Sequence, residues 1–523
     1  MKLGKASLKW ALAHIERFGD IDIFPVPFEY AAIRANWGRL LPQLLATELD
    51  RYPARELRRT LTPKSRYGFR LATQLDPIDA LLFTATVCEL AHDLERYRVP
   101  ASRNIVMSHR VHRTVDGQLY SPRFTFETFK QRLLEKCQAR PKSWVVVTDI
   151  ADFYSRVYHH PLENALRAAT QKHAHVDVLM HFLSQWNYSV SYGIPIGPAA
   201  SRILAEVAIS DVDHALIDED VDFCRFSDDF RLFAQSERDA FRILAVLASY
   251  LQENHGLTLS ERKTDIISAD RFVARFLEGT RPGDSARLAD QVGQILDKYG
   301  RQEDAYAALD VEELPEALVQ ELDALDLNSV LQEQIGDQRM YDSFAVSIAL
   351  RRLAQLRDET LLDLVVESID QLTSVLPQVV NFIQKVTPSV RRPEVGAQIL
   401  EAIDAGASGH QEYQRVWLLS LFASDPTWDN RDALVRLMGD VRDDLSRPLL
   451  LQSLGVAAQP HWFRRSRREI QSMGGWERRS FIRGAMCMGH DEYGHWMRSL
   501  LPRLDELDQL VGRYCLDNLR ATP

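Results

Sequence analysis

Cysteine is scarce in this chain, and long apolar runs are absent. Five cysteines in 523 residues (Cys88, Cys137, Cys224, Cys487, Cys515) are odd in number and form no Cys-x-x-Cys pair. That excludes a disulfide framework and a zinc site built on paired cysteines, so they are expected to be reduced packing residues. No apolar run approaches the roughly 20 residues that span a bilayer. The first ten residues, Met1 to Trp10, are basic and amphipathic with no cleavable apolar core, so the expected location is cytoplasmic, away from any membrane. His159, His160, His173 and His175 lack the spacing of a metalloprotease helix and are expected to be structural. There is no long low-complexity linker and no strict repeat unit.

What is present is an ordinary globular composition, 46% hydrophobic and 26% charged, with length for roughly three or four domains of about 150 residues. The net charge of -10 hides an asymmetry. Residues 51–150 carry 18 Lys and Arg against 10 Asp and Glu, whereas residues 291–380 carry 6 against 18. A basic segment of this kind could hold phosphates, and the acidic one suits solvent or a protein partner; a chance distribution of solvated faces is the alternative.

Along the chain, Leu8 to Ile15 and Asp79 to Tyr97 have helical apolar spacing. Between them lies a basic stretch (Arg51, Arg55, Arg58, Arg59, Lys64, Arg66, Arg70) punctuated by Pro53, Pro63 and Gly68. Asn104 to Tyr120 reads as a hairpin broken at Asp116-Gly117. Trp144-Val-Val-Val-Thr148 is a β-branched run ending in Asp149, which puts that carboxylate at the end of a buried strand. Gly193-Ile-Pro-Ile-Gly-Pro198 is a stiff turn into a helix that begins with Ala199, Ala200 and Ser201, residues small enough for close approach by a ligand. In Val221 to Ala234 two Phe-rich runs flank Ser227-Asp228-Asp229, a hairpin with paired carboxylates at its tip. Phe241 to Asn254 is a further helix. Beyond residue 281 the pattern is helix after helix, suggesting an α-solenoid or irregular bundle.

Adjacent aspartates repel, and a turn that holds them together suits a divalent cation. If the Asp149 strand lies beside the hairpin, carboxylates from both converge on one metal pair, the arrangement that clamps attacking and leaving oxygens in phosphoryl transfer.

With these motifs in this order, residues 100–280 resemble a reverse transcriptase. Asp149-Ile-Ala-Asp-Phe-Tyr154 looks like the family's first catalytic motif, Gly193 to Ser201 like its nucleotide-side turn and helix, and Phe226-Ser-Asp-Asp229 like the metal-binding hairpin. Gly256 to Thr264 looks like the lysine motif and Phe276-Leu-Glu-Gly279 like the primer grip. The resemblance implies Asp149, Asp228 and Asp229 as metal ligands, with the backbone carbonyl of Ile150 as a further one, and Mg²⁺ as the ion with Mn²⁺ as the alternative. It implies Tyr154 as the gate against a ribose 2′-hydroxyl, with Phe153, Gly197 and Ser201 also lining the nucleotide site, and Lys263 as the acid that protonates pyrophosphate. Arg110, within Ser108-His-Arg-Val111, is the expected fingers residue for the triphosphate, since a guanidinium binds phosphate bidentately; an ordinary surface arginine is the alternative.

Two departures stand out: Phe226 replaces the family's usual Tyr, and Ile196 its usual Gln. Together with Asp-Phe-Tyr and a long helical C-terminal half, they make the chain similar to bacterial abortive-infection and other defence-associated reverse transcriptases. Some of these are implied to synthesise DNA without a conventional template or from a protein hydroxyl, for which Tyr341, Tyr413, Tyr493 and Tyr514 are candidates. Trp462-Phe-Arg-Arg-Ser-Arg-Arg468, Trp476-Glu-Arg-Arg479 and Arg483 suit either a single-stranded nucleic acid path or core tryptophans beside solvated arginines.

The expected fold is an α/β right-hand polymerase core followed by an all-α helical-repeat region, divided as residues 1–140 (fingers with N-terminal helices), 141–280 (palm) and 281–523. The expected function is RNA-directed DNA polymerase, templated or template-independent, in antiphage defence. The rival is an idle palm that serves as an RNA-binding or assembly scaffold. Expected partners are deoxynucleoside triphosphates and RNA or DNA; an associated non-coding RNA and a homo-oligomer are left open.

Overall fold

Val145, Val146 and Val147 are all buried, and a strand apolar on both faces must be covered on both. The computed structural model describes residues 1–65, 68–187, 189–277, 320, 325–336, 342–405 and 412–519. Its strands are β1 (Arg58–Ser65), β2 (Gly68–Gln74), β3 (Trp144–Asp149), β4 (Asp222–Phe226), β5 (Asp229–Ala234) and β6 (Asp265–Ser268). β3 lies inside a four-stranded antiparallel sheet of order β4-β5-β3-β6. On one face Val146, Phe230 and Leu232 join the core formed with the N-terminal helices. On the other, Val145, Val147, Phe233 and Ile267 pack with Phe129 and Leu133 of the helix Phe126–Ala139. Each such side chain contributes about 1.5–3 kcal/mol of burial.

The helix Pro77–Tyr97 starts where expected, with Asp76 as its cap accepting from Ile78 N–H at 3.0 Å and Pro77 in the first turn. The β1–β2 hairpin is an element the sequence reading did not foresee. Its polar Thr60 and Thr62 are buried while Leu61, Phe69 and Leu71 face out, an alternation opposite to the usual one. The segment Asn104 to Tyr120 does turn back on itself, with His112 N–H donating to Leu119 O at 2.8 Å, but its pairing is reduced to isolated bridges.

Every regular element among the described C-terminal residues is a helix. Alternate helices (Ser343–Leu356, Leu376–Val386, Glu412–Ser424, Ser446–Val456, Gly475–Gly484 and Glu506–Asn518) stack in succession to form one row of a solenoid. Ser446–Val456 and Gly475–Gly484 cross with backbones touching, because a Cβ on Gly455 would overlap Gly484 Cα. The row closes back on the N-terminal half. Arg479, buried, donates to Glu29 Oε1 at 2.9 Å and pairs with Asp76 at 3.1 Å. Trp476 donates to Glu56 O at 3.0 Å under the Arg58 guanidinium, and Trp417 to Ile23 O at 3.0 Å.

Within 462–483, Phe463, Trp476 and Arg479 are buried packing residues and Arg464 pairs with Glu492 at 2.8 Å, whereas Arg465, Arg467 and Arg468 are exposed. The boundary expected at 280/281 and part of the acidic stretch 291–380 lie outside the described residues. Among the described residues no helix is long and apolar enough to cross a membrane.

Candidate active site

The strand register decides which carboxylates meet. β3 and β5 pair with Asp149 directly opposite Asp229, and β4 and β5 are joined through the two residues Ser227 and Asp228. Asp228 alone of the pair therefore sits in the turn, and Asp229 begins a strand. The Ile150 N–H donates to the Asp228 carbonyl at 3.2 Å, which ties the turn to the end of β3. From the other side Ser260 N–H donates to Asp149 O at 2.7 Å and Ala151 N–H to Thr258 O at 2.8 Å. This places the short turn Glu261–Lys263 over the site, with Lys263 Nζ 2.5 Å from Asp149 Oδ2.

Asp149 is almost fully buried, and its Oδ1 has no hydrogen-bond partner. Asp229 is held by Arg231 Nη1 at 3.5 Å. Burial, then the charges of Asp149 and Asp229, push the Asp228 carboxyl well above the usual range, with Lys64 opposing. Asp149 and Asp229, paired across the strands, and Asp228 in the adjoining turn, with one Asp149 oxygen unpartnered and the other against the Lys263 ammonium, are the donor types a divalent cation takes. Among the described residues, no group of three acidic, His or Cys side chains is arranged to hold an ion.

Tyr154 is half-buried, its phenol beside Ser227 and Asp228, and burial pushes that phenol well up. It is fixed by the Gly193 loop, where Ile194 N–H donates to Tyr154 O at 2.9 Å and Gly193 N–H to Val157 O at 2.8 Å. His159 bonds Gly193 O at 2.9 Å, a structural role as expected.

Four other expected nucleotide-site residues are buried or covered. Phe153 is buried in the core against Tyr154. Ser201 is wholly buried in the helix Ala199–Ala208. Gly197, at φ 125°, faces Ile21, which a Cβ there would overlap, so the N-terminal segment covers it. Arg110 is buried; it donates to Glu95 Oε1 and Val106 O at 2.9 Å each and to Val99 O at 2.7 Å, which leaves no fork for a phosphate. Lys64, exposed near the tip of the β1–β2 hairpin, adds a smaller opposing charge at Asp228, whereas Lys263 and Arg231 are the cations in contact with Asp149 and Asp229. The signal for Lys64 in the sequence was the basic stretch itself, unresolved into strands.

Phe226 lies among Phe126, Phe129 and His109, ring centroids 5.4, 5.6 and 6.2 Å away, a setting with little use for a phenol oxygen. Ile196 packs against the C-terminal core. Tyr413 and Tyr493 are buried, the latter donating to Ile482 O at 2.9 Å, so neither can prime as it stands. Tyr514 is half-buried, and Tyr341 and residues 278–279 of the expected primer grip lie outside the described residues.

Residues 93–295 match the family described as reverse transcriptase (RNA-dependent DNA polymerase), a span that takes in every carboxylate above. The segment is thus a reverse-transcriptase-type domain occupying less than half of the chain. Among solved structures, the chain is similar to telomerase from Candida albicans in complex with a TWJ fragment of telomeric RNA (12% identity, TM-score 0.32, 74% of this chain and 70% of that one). It is also similar to apo telomerase from Candida tropicalis (12%, TM-score 0.31, 75% and 74%). No curated protein matches.

Proposed function

We propose that this protein is a metal-dependent DNA polymerase of reverse-transcriptase type, working in the cytoplasm in antiphage defence of the abortive-infection kind. The observation that carries the chemistry is the meeting of Asp149, Asp228 and Asp229 beside Lys263. Those three carboxylates and the Ile150 carbonyl would hold Mg²⁺ or Mn²⁺. Bound there, such ions supply charge neutralisation to the attacking and leaving oxygens of a nucleotidyl transfer.

The chain's own residues do the rest. Lys263 holds a proton at Nζ within reach of a leaving pyrophosphate. Lys64, exposed on the β1–β2 hairpin, would pair with the triphosphate. Tyr154 stands under the sugar beside the turn, where its ring would exclude a 2′-hydroxyl by clash. The defence role rests on the departures at Phe226 and Ile196, on the cover that Ile21 gives Gly197, and on the solenoid beyond the palm. These also favour synthesis without a conventional template, started from a nucleic acid end or from a Tyr or Ser hydroxyl such as Tyr514.

The scaffold alternative is disfavoured because an idle site has no need of three crowded carboxylates, which cost stability. The test is to incubate the protein with each labelled deoxynucleoside triphosphate, with and without Mg²⁺, and to sequence the product and any co-purified nucleic acid. Metal-dependent polymer supports the proposal and its sequence gives the template or shows none; bound RNA with no polymer in either metal supports the scaffold.

A further inference from the structure

Beneath the Ser227-Asp228 turn lies a buried ionic cluster that the chemistry above does not use. Arg98, Arg225, Glu206 and Asp213 are each 2% exposed or less. Arg225 grips Asp213 with two nitrogens, at 2.8 and 2.5 Å, and donates through Nη1 to Glu206 Oε2 at 3.0 Å. Arg98 donates to the same Glu206 oxygen at 2.8 Å and to Ser108 O at 2.7 Å. The Ser108 hydroxyl donates to the other Glu206 oxygen. Arg98 and Arg225 thus face Glu206 and Asp213, Arg98 and Arg110 share Glu95 beyond them at 3.2 and 2.9 Å, and burial holds the His109 ring beside Glu206 below its usual range.

Arg98 also donates out of this cluster to Glu95 at 3.2 Å and to His109 O at 3.0 Å, and two further bonds from the cluster end on Ser227. Arg225 Nη1 donates to Ser227 O at 2.7 Å, and Ser227 N–H donates to Ser108 Oγ at 2.7 Å. Ser227 stands at φ 55°, a conformation that a side chain other than glycine holds only when its surroundings impose it. The next residue is Asp228, which repulsion from Asp149 and Asp229 would drive out of the site. A two-residue turn carrying crowded like charges needs an external brace, and the residue before the aspartate is held at both its N–H and its carbonyl.

We propose that Ser108, Glu206 and Arg225 are positioning residues for nucleotidyl transfer, fixing the Ser227-Asp228 turn so that the Asp228 carboxylate stays in range of the ions held with Asp149. The cluster joins Arg98 at the end of one helix, Ser108 of the fingers loop and the helices Ala199–Ala208 and Ser210–Asp218 to the turn, so it also ties fingers to palm. The inference rests on the metal-dependent reading above.

The experiment uses the full chain and three variants: Ser108→Ala, Arg225→Lys and, as a control, Thr86→Ser in the helix Pro77–Tyr97, whose hydroxyl is bonded only locally to Leu82 O. Mn²⁺ binding is titrated by electron paramagnetic resonance without nucleotide, the Mg²⁺ dependence of incorporation is measured, and folding is followed by thermal melting. Ser108→Ala removes a hydroxyl bonded to both Glu206 and Ser227 N–H, so it should melt below the wild type yet stay folded, and bind Mn²⁺ and incorporate at limiting Mg²⁺ about 10–100-fold less well, with partial recovery at high Mg²⁺. Thr86→Ser should match the wild type in metal binding. A folded Ser108→Ala with wild-type titrations overturns the inference; should that variant not fold, Arg225→Lys, which keeps the charge but cannot reach all three acceptors, is judged by the same criterion. Wild-type protein that neither binds Mn²⁺ nor incorporates refutes the underlying reading instead.

Discussion

Lys263 Nζ lies 2.5 Å from Asp149 Oδ2, so the carboxylate that should hold a divalent ion is paired with an ammonium. The two cations compete for one oxygen. Lys263→Met should therefore bind Mn²⁺ several-fold more tightly while losing incorporation by about 10²–10⁴-fold, the usual range for removing a general acid. Titration and single-turnover kinetics on the same variant check both halves, and weaker metal binding would remove the competition from the account.

Lys64 is exposed and Arg110 is buried, and the proposed role in holding the triphosphate goes with the exposed one. Lys64→Ala touches an exposed side chain and should raise KM for the nucleotide with little change in melting. Arg110→Ala leaves Glu95 Oε1 and two carbonyls without their donor, Glu95 keeping Arg98 and Val111 N–H on its other oxygen, and should cost about 3 kcal/mol of stability. Thermal melts and steady-state kinetics separate the two; a stable Arg110→Ala with raised KM would return Arg110 to the nucleotide.

Ile21 and Gly197 fit only because Gly197 has no side chain. Gly197→Ala should destabilise by about 1–3 kcal/mol through overpacking, plus the strain of φ 125°. Adding Ile21→Ala should recover part of that loss but not the strain, so a double-mutant cycle should show coupling between the positions. Additive effects would mean that the N-terminal segment does not press on the loop.

Asp20, on the same segment, is buried with Oδ1 unpartnered, and burial, opposed by backbone bonds and Gln74, raises its carboxyl to about 7. Its folded value lies above its unfolded one, so its contribution to stability is greatest in acid and is lost as pH rises from about 4 to about 7. Asp20→Asn cannot ionise and should melt above the wild type at pH 8, by at most about 4 kcal/mol, with the gap narrowing toward pH 5. A gap independent of pH would mean that Asp20 does not titrate in this range.

The palm was legible because its chemistry and its pattern agree: a valine run ending in an acid, then Phe-rich strands around a polar turn. The position of Asp229 within a strand was not, since register follows from the pairing of Asp149 with its partner. The β1–β2 hairpin escaped because Thr60 and Thr62 point inward while Leu61 and Leu71 point out. Arg110 and Arg479 misled for one reason: a buried arginine is recognised by its partner, and Glu29 lies 450 residues from Arg479.

The most direct measurement is metal-dependent incorporation of labelled deoxynucleotide by the wild type and by Asp228→Asn, with both proteins shown to be folded. Asparagine keeps the shape of the turn and removes one anionic ligand, so the wild type should make product in Mg²⁺ or Mn²⁺ and the variant at least about a thousand-fold less. Equal incorporation by the folded variant, or none by the wild type in either metal, would contradict the account.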